Sequence, residues 1–162
     1  MGTLKLLSSE FNEIDFHLIA IHSPIEGYRL AFFINKYLKI NLKLSKNKLH
    51  VNQKKGSSDF ERFTFEDEKK DIRWDLIENK NNISTKENTV ANDLFFETSM
   101  QFSLPIFLIP EYKKVDFFLK LDSESTPLNG NEIVAEIKKI PAITTVYEVN
   151  SNKIKSKNNL IF

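Results

Sequence analysis

The chain has no cysteine, one tryptophan, two methionines and four glycines among its 162 residues. Without cysteine there is no disulfide framework, no thiolate nucleophile and no Cys-ligated zinc or iron–sulfur cluster. So few glycines leave no phosphate-cradling loop, and neither G-x-x-x-x-G-K nor G-x-G-x-x-G occurs. The G-x-S-x-G nucleophile elbow is missing too. Long hydrophobic runs are also lacking. Near the amino terminus only Leu4-Lys5-Leu6-Leu7 is apolar, and Lys5 interrupts it. A secretory signal needs about 7–15 consecutive apolar residues and a membrane span about 20. Gly2 does not complete a myristoylation motif, because Leu6 stands where Ser or Thr is required. The expectation is a cytoplasmic protein with no membrane attachment and no cofactor.

Nor is there an excess of one charge. Lys and Arg number 23 against 22 Asp and Glu, a net charge of +1. A dedicated nucleic-acid-binding domain shows a basic excess or stripe, so DNA is not an expected partner. Lys36 to Lys55 is basic and Asp59 to Asp71 leans acidic; blocks of this kind read as solvated faces or hairpin turns.

What is present is a core. The chain is 41% hydrophobic with fourteen phenylalanines, and its length suits one domain that buries roughly two-thirds of its unfolded surface. Phe16 to His22 is an almost continuous apolar run, as expected of a strand covered on both faces. Ser23-Pro24-Ile25-Glu26 then reads as a capping box opening a helix from Pro24 to about Leu38. Tyr28, Ala31, Phe32, Phe33, Ile34 and Tyr37 cover more than one stripe of that helix, so substantial burial is expected. Ile40, Leu42 and Leu44 alternate with polar residues, as do Phe63 with Phe65 and Ile72, Trp74 and Leu76, the last two sets reading as a hairpin. Residues 79–93, rich in Asn, Lys and Thr, read as a mobile loop. Pro105 places Leu104 to Ile109 at an edge or bend. Val115 to Leu121 alternates as a strand. Ile133, Val134, Ile137 and Ile140 mark a helix capped by Asn131 and stopped by Pro141. Ile143 to Val149 is β-branched. The expected fold is α+β: a single domain with a mixed, mostly antiparallel sheet, two main helices on one face, and a tail at 151–162.

Ile109-Pro110-Glu111-Tyr112-Lys113-Lys114-Val115-Asp116-Phe117 resembles the signature of the IPExxxVDY family, with Phe117 where the pattern has tyrosine. The similarity extends to Ile19-Ala20-Ile21-His22, to Tyr28-Arg29-Leu30-Ala31 and to the tail from Lys155 to Phe162. The resemblance implies a bacterial protein of the Bacteroidetes type and brings no assigned activity. A phenol lost at 117 removes a donor and an acceptor but keeps the ring, which favours packing over catalysis at that position.

The polar residues worth weighing are His22, Glu26, Arg29, Glu111 and Asp116. Glu111 and Asp116 are paired carboxylates able to hold a cation or divide acid and base roles, or equally to accept turn N–H groups. His17 and His22, five apart on a strand, point to opposite faces and do not chelate one ion. Arg29 suits an ion pair with Glu26 or an anion near the helix start. Phe32-Phe33, Phe95-Phe96 and Phe117-Phe118 offer either core packing or stacking surfaces for RNA. The tail ends in Leu160, Ile161 and Phe162 on a basic stem, which fits self-packing or docking on a protein partner. No catalytic constellation emerges. The leading expectation is a non-enzymatic adaptor or regulatory protein acting through protein contacts. The alternative is a small-ligand or RNA-binding module, or an unrecognised enzyme, built on the polar residues above.

Overall fold

Strand β1 (Phe16–His22) sends alternate side chains into two separate hydrophobic clusters, and that division organises the molecule. A computed structural model of the chain describes residues 16–86 and 101–162. Six strands form the main sheet: β1, β2 (Lys43–Leu44), β5 (Arg62–Asp67), β6 (Ile72–Glu78), β9 (Phe117–Ser123) and β10 (Thr145–Val149). Their order is β10-β1-β9-β6-β5-β2. Two helices, α1 (Gly27–Leu38) and α2 (Gly130–Lys138), pack on one face against Ile19, Ile21, Phe63, Trp74, Leu76, Phe117, Leu119 and Leu121. The other face carries Phe16, Leu18, Ala20, Ile77 and Phe118. It is covered by hairpins β3–β4 (Leu49–Gln53, Gly56–Phe60) and β7–β8 (Lys80–Lys86, Gln101–Phe107) and by Ile154 and Leu160 of the tail. The chain is α+β, with the helices on one face as expected.

Every described neighbouring pair of strands is antiparallel. The two strand–helix–strand passages are nevertheless real crossovers. β9 and β10 both run against β1, so they run parallel to each other with β1 inserted between them. The passage β1–α1–β2 likewise joins two strands of one direction across the width of the sheet. Sequence pattern reveals the crossover but not the strand slipped into it.

Four local expectations are corrected. Helix α1 starts at Gly27, not Pro24. Ser23 does not cap it: its hydroxyl donates to the Ala142 carbonyl at 2.8 Å and its N–H donates to Asp116 Oδ2 at 3.0 Å. Gly27 packs closely: a Cβ there would lie 2.9 Å from Glu78 Oε1 and 3.1 Å from the Phe63 ring, so the Glu78 carboxylate and the ring would have to shift to admit one. Tyr28 and Phe32, expected inside, are more than 60% exposed. Helix α2 is capped by Asn129, two residues before Asn131, with its side chain accepting from Glu132 N–H. Finally, residues 80–86 are strand β7 and not loop. Asn81 Nδ2 donates to Ser58 Oγ and to the Asp59 carbonyl, both at 2.8 Å, and Ile83 packs on the core. Residues 87–93 and the Phe95-Phe96 pair lie outside the described residues. The short β2 has its own explanation. Asn35 of α1 bonds Leu42 N–H and C=O at 2.7 and 3.0 Å, doing for Leu42 what a neighbouring strand would do.

Asn79, between β6 and β7, is fully buried and uses all of its polar groups. Its Nδ2 donates to the carbonyls of Tyr112 and Val115 at 2.9 and 2.8 Å, and its Oδ1 accepts from Ile109 N–H at 2.9 Å. Its backbone bonds Leu108 N–H and the Asp116 carbonyl. A buried polar group stripped of its partner costs about 1–3 kcal/mol. Asn79→Ala strands three backbone partners and is expected to lower stability by at least about 3 kcal/mol in urea unfolding. A loss below about 1 kcal/mol would show that the loop holds itself.

Candidate functional site

The signature loop folds as a 3₁₀ turn, Pro110–Tyr112, and its two carboxylates work in different places. Glu111 accepts from the N–H groups of Lys155 and Ser156 at 2.7 and 2.8 Å and from the Ser156 hydroxyl, so it clamps the tail. Burial pushes the Glu111 carboxyl up, but the hydrogen bonds from Ser156, the backbone and Lys155 outweigh it and hold the group below its ordinary value. Asp116 instead accepts from Ser23 N–H and from Lys80 Nζ at 2.9 Å, tying the end of β1 to β7. Phe117 is buried against the start of α1, its ring 3.4 Å from where a Cβ on Gly27 would lie. A ring without a hydroxyl fills that place.

The remaining sequence-derived residues also separate. His22 lies beside Tyr147, Nε2 to hydroxyl 3.5 Å. Tyr147 borders a shallow concavity of about 480 Å³ with Glu111, Tyr112 and Lys113. Glu26 and Arg29 form an exposed i,i+3 pair at 3.6 Å on α1. His22, Glu26, Arg29, Glu111 and Asp116 therefore share no single pocket. In the tail, Leu160 is fully buried in the core, and Asn159 Nδ2 donates to the Leu108 carbonyl at 2.8 Å. Ile161 and Phe162 remain partly exposed.

Phe162 leads to a site that the sequence reading passed over. On the face opposite the helices, cross-strand neighbours set charges of alternating sign side by side. Glu66, Arg73 and Asp122 are successive partners along one row, and Asp75 and Lys120 are partners in the next. Arg62 lies one further row along β5. Asp75 is fully buried, and Arg62 and Lys120 nearly so. Lys120 Nζ reaches Asp122 Oδ2 at 2.7 Å, and Arg73 Nε and Arg62 Nη1 stand 3.1 and 3.7 Å from the two Asp75 oxygens. Both are ion pairs but not hydrogen bonds, the Arg62 contact being too long and the Arg73 contact poorly aligned, so Arg62 Nη1, Arg73 Nε and both Asp75 oxygens have no hydrogen-bond partner. The Phe162 ring covers the group, with Arg62 Cζ 4.6 Å, Lys120 Nζ 4.7 Å and Arg73 Cζ 5.9 Å from its centroid. Cations held over an aromatic face are stabilised by the ring quadrupole. Beside them opens a cleft of about 500 Å³ that Arg73, Lys120, Asp122 and Phe162 help to line.

Burial pushes the Asp75 carboxyl above its ordinary range, and Arg73, Arg62 and Lys120 oppose that rise in this order. The sequence signal was available. Lys120 sits inside Phe117-Phe118-Leu119-Lys120-Leu121 and Asp75 inside Trp74-Asp75-Leu76. A charge at a strand position buried on both faces requires a partner.

Among the described residues no three His, Asp or Glu side chains gather as a metal-binding group, and no helix is long and apolar enough to cross a membrane.

Lys120→Met removes one of the cations that hold the Asp75 carboxyl down, so its NMR-detected titration is expected to move upward. The same change breaks a buried pair, with an expected loss of about 3 kcal/mol. An unmoved Asp75 titration would separate the two residues electrostatically. For Glu111 the folded value is depressed, so its contribution is present above the unfolded value of 4.5 and is lost as pH falls through the folded one. Protection factors of the Lys155 and Ser156 amides, with the intrinsic pH dependence of exchange divided out, should fall on acidification, and Glu111→Gln should lower them already at neutral pH. Equal protection in both proteins at neutral pH would mean that the clamp is held by something else.

Comparison with protein-family models, with curated proteins and with solved structures returned no match to this chain.

Proposed function

We propose that this chain is a non-catalytic protein of the IPExxxVDY family that works by protein contact, and that its contact surface is the solvent side of α1. One observation carries the reading. Tyr28 and Phe32, one helical turn apart, expose 64% and 63% of their surface. Burying such rings is worth about 25 cal/mol per Å² of apolar area, and leaving both in water forgoes that gain. Leu44, on β2, is another exposed apolar side chain, at 59%. It is the cross-strand partner of Phe63, whose ring touches the start of α1. Arg29 and Glu26 flank the rings with one charge of each sign. Aromatic anchors beside an arginine are the composition of interface hot spots.

The partner that fits is a protein with an apolar groove able to take a helix face, rimmed by one acidic and one basic group. The tail is a poorer docking element than its composition suggests. Leu160 belongs to the core, so removing residues 160–162 opens that core and unfolds the region instead of testing a contact. The separate engagements of His22, Glu26, Arg29, Glu111 and Asp116 count against a shared polar site for RNA or for catalysis.

The test is quantitative capture from cells with the full chain and with Tyr28→Ser/Phe32→Ser, followed by reconstitution of any differential partner from purified components. Both positions are exposed, so the double variant is expected to fold with unchanged stability and to bind at least about tenfold more weakly. Identical partners and affinities for the two proteins would remove α1 as the contact surface.

A further inference from the structure

We infer that the partner of α1 is an acidic amphipathic helix, lying antiparallel to α1 with carboxylates in its own first turn. This rests on the reading of α1 as the contact surface and adds the chemistry and direction of what binds there. Tyr28, Phe32, Lys36 and the C-cap Lys39 stand at i, i+4, i+8 and i+11, and all four are exposed. They form one stripe about 16 Å long. Its first half is aromatic and its second half is basic. Asn35 ties Leu42 back to α1, and Lys43 after it is exposed as well.

The charge balance decides what covers the stripe. The whole chain is nearly neutral, at +1, but this surface carries Arg29, Lys36, Lys39 and Lys43 against Glu26. Glu26 is engaged by Arg29 of its own helix. Neither Lys36 nor Lys39 is ion-paired to a described residue. An acidic partner answers these cations, whereas a second copy of this chain would bring like charges together. Direction follows from the helix dipole. Carboxylates are favoured in the first turn of a helix and cations in the last. Setting the partner's first turn against Lys36 and Lys39 runs the two helices antiparallel and carries its apolar face on to Phe32 and Tyr28. The groove that receives the rings is then the one between side-chain ridges of the partner helix. Phe33, half-buried, meets Phe32 edge-on with ring centroids 5.6 Å apart, which holds the exposed ring in place before binding and lowers the ordering cost. A nucleic-acid backbone would also answer the lysines, but Glu26 at the head of the stripe and the near-neutral chain favour the peptide.

The experiment is a fluorescence-anisotropy titration of the purified full chain against labelled peptides about 16 residues long, each with a leucine stripe at helical spacing. One carries glutamates in its first turn, a second has glutamines there, and a third carries the glutamates in its last turn. A single-stranded oligouridylate is the RNA probe. The first peptide is expected to bind tightest, about tenfold more tightly than the glutamine peptide, and to weaken several-fold between about 50 and 150 mM salt. Lys36→Gln/Lys39→Gln should abolish the advantage of glutamate, and Tyr28→Ser/Phe32→Ser should weaken every peptide. All four positions are exposed, so both variants are expected to fold. Equal binding of the glutamate and glutamine peptides overturns the acidic partner, and equal binding of the first and third overturns the antiparallel direction. If Tyr28→Ser/Phe32→Ser still weakens binding in either case, α1 survives as the contact surface. Peptide binding indifferent to Tyr28→Ser/Phe32→Ser removes that reading together with this one. Tighter binding of the oligouridylate, or no binding of any peptide at millimolar concentration, also overturns the inference.

Discussion

Asn79 is the residue through which the non-helical half of the molecule is tied together. Its side chain and backbone hold residues 108–116 in place. That loop presents Glu111, which in turn fixes residues 155 and 156 of the tail. The tail then delivers Leu160 to the core and Phe162 to the ion cluster. Each step is a short, directional contact between segments far apart in the chain. One buried amide therefore stands at the head of the contacts that bring the Phe162 ring over Arg62 and Lys120. Buried polar networks of this kind stabilise only when every member is satisfied, and Asn79 meets that condition in full.

The ion cluster meets it only in part, and the contrast is informative. Alternating signs along the rows of β5, β6 and β9 compensate the charges, while neither guanidinium group hydrogen-bonds Asp75. Charge neutrality and hydrogen-bond satisfaction are separate requirements, and burying an ion pair costs desolvation that Coulomb attraction alone does not always offset. Hydrophobic residues of similar shape would have sealed that face at less cost.

Much of the fold was legible because period-two and period-3.6 patterns report burial directly. The hairpin of Phe63 to Leu76 and the final strand ending at Val149 follow from alternation alone. What was not legible depended on partners remote in sequence. Ser23 has the composition of a helix cap, but Ala142 and Asp116 compete for its hydroxyl and N–H. Residues 80–86 have a polar composition, and they form a strand because β8, remote in sequence, pairs with them along their length, while hairpin β3–β4 accepts the Asn81 side chain. Glu111 and Asp116 stood out as a pair because they are close in sequence, yet the turn between them sends one to the tail and the other to β1. The ion cluster escaped because its members lie on three strands, and no window of neighbouring residues contains more than two of them.

The position of β1 between β9 and β10 has a consequence for how the chain comes together during synthesis. β1 leaves the ribosome early, but the two strands that flank it belong to the last third of the chain. Until Phe117 to Val149 has emerged, one of the most apolar segments of the protein has two unsatisfied edges and two uncovered faces. Non-local pairing of this kind is slow to form and leaves intermediates with exposed strand edges. The first of the described strands is thus among the last to be completed, and its edges stay open while every strand between it and β9 is being made.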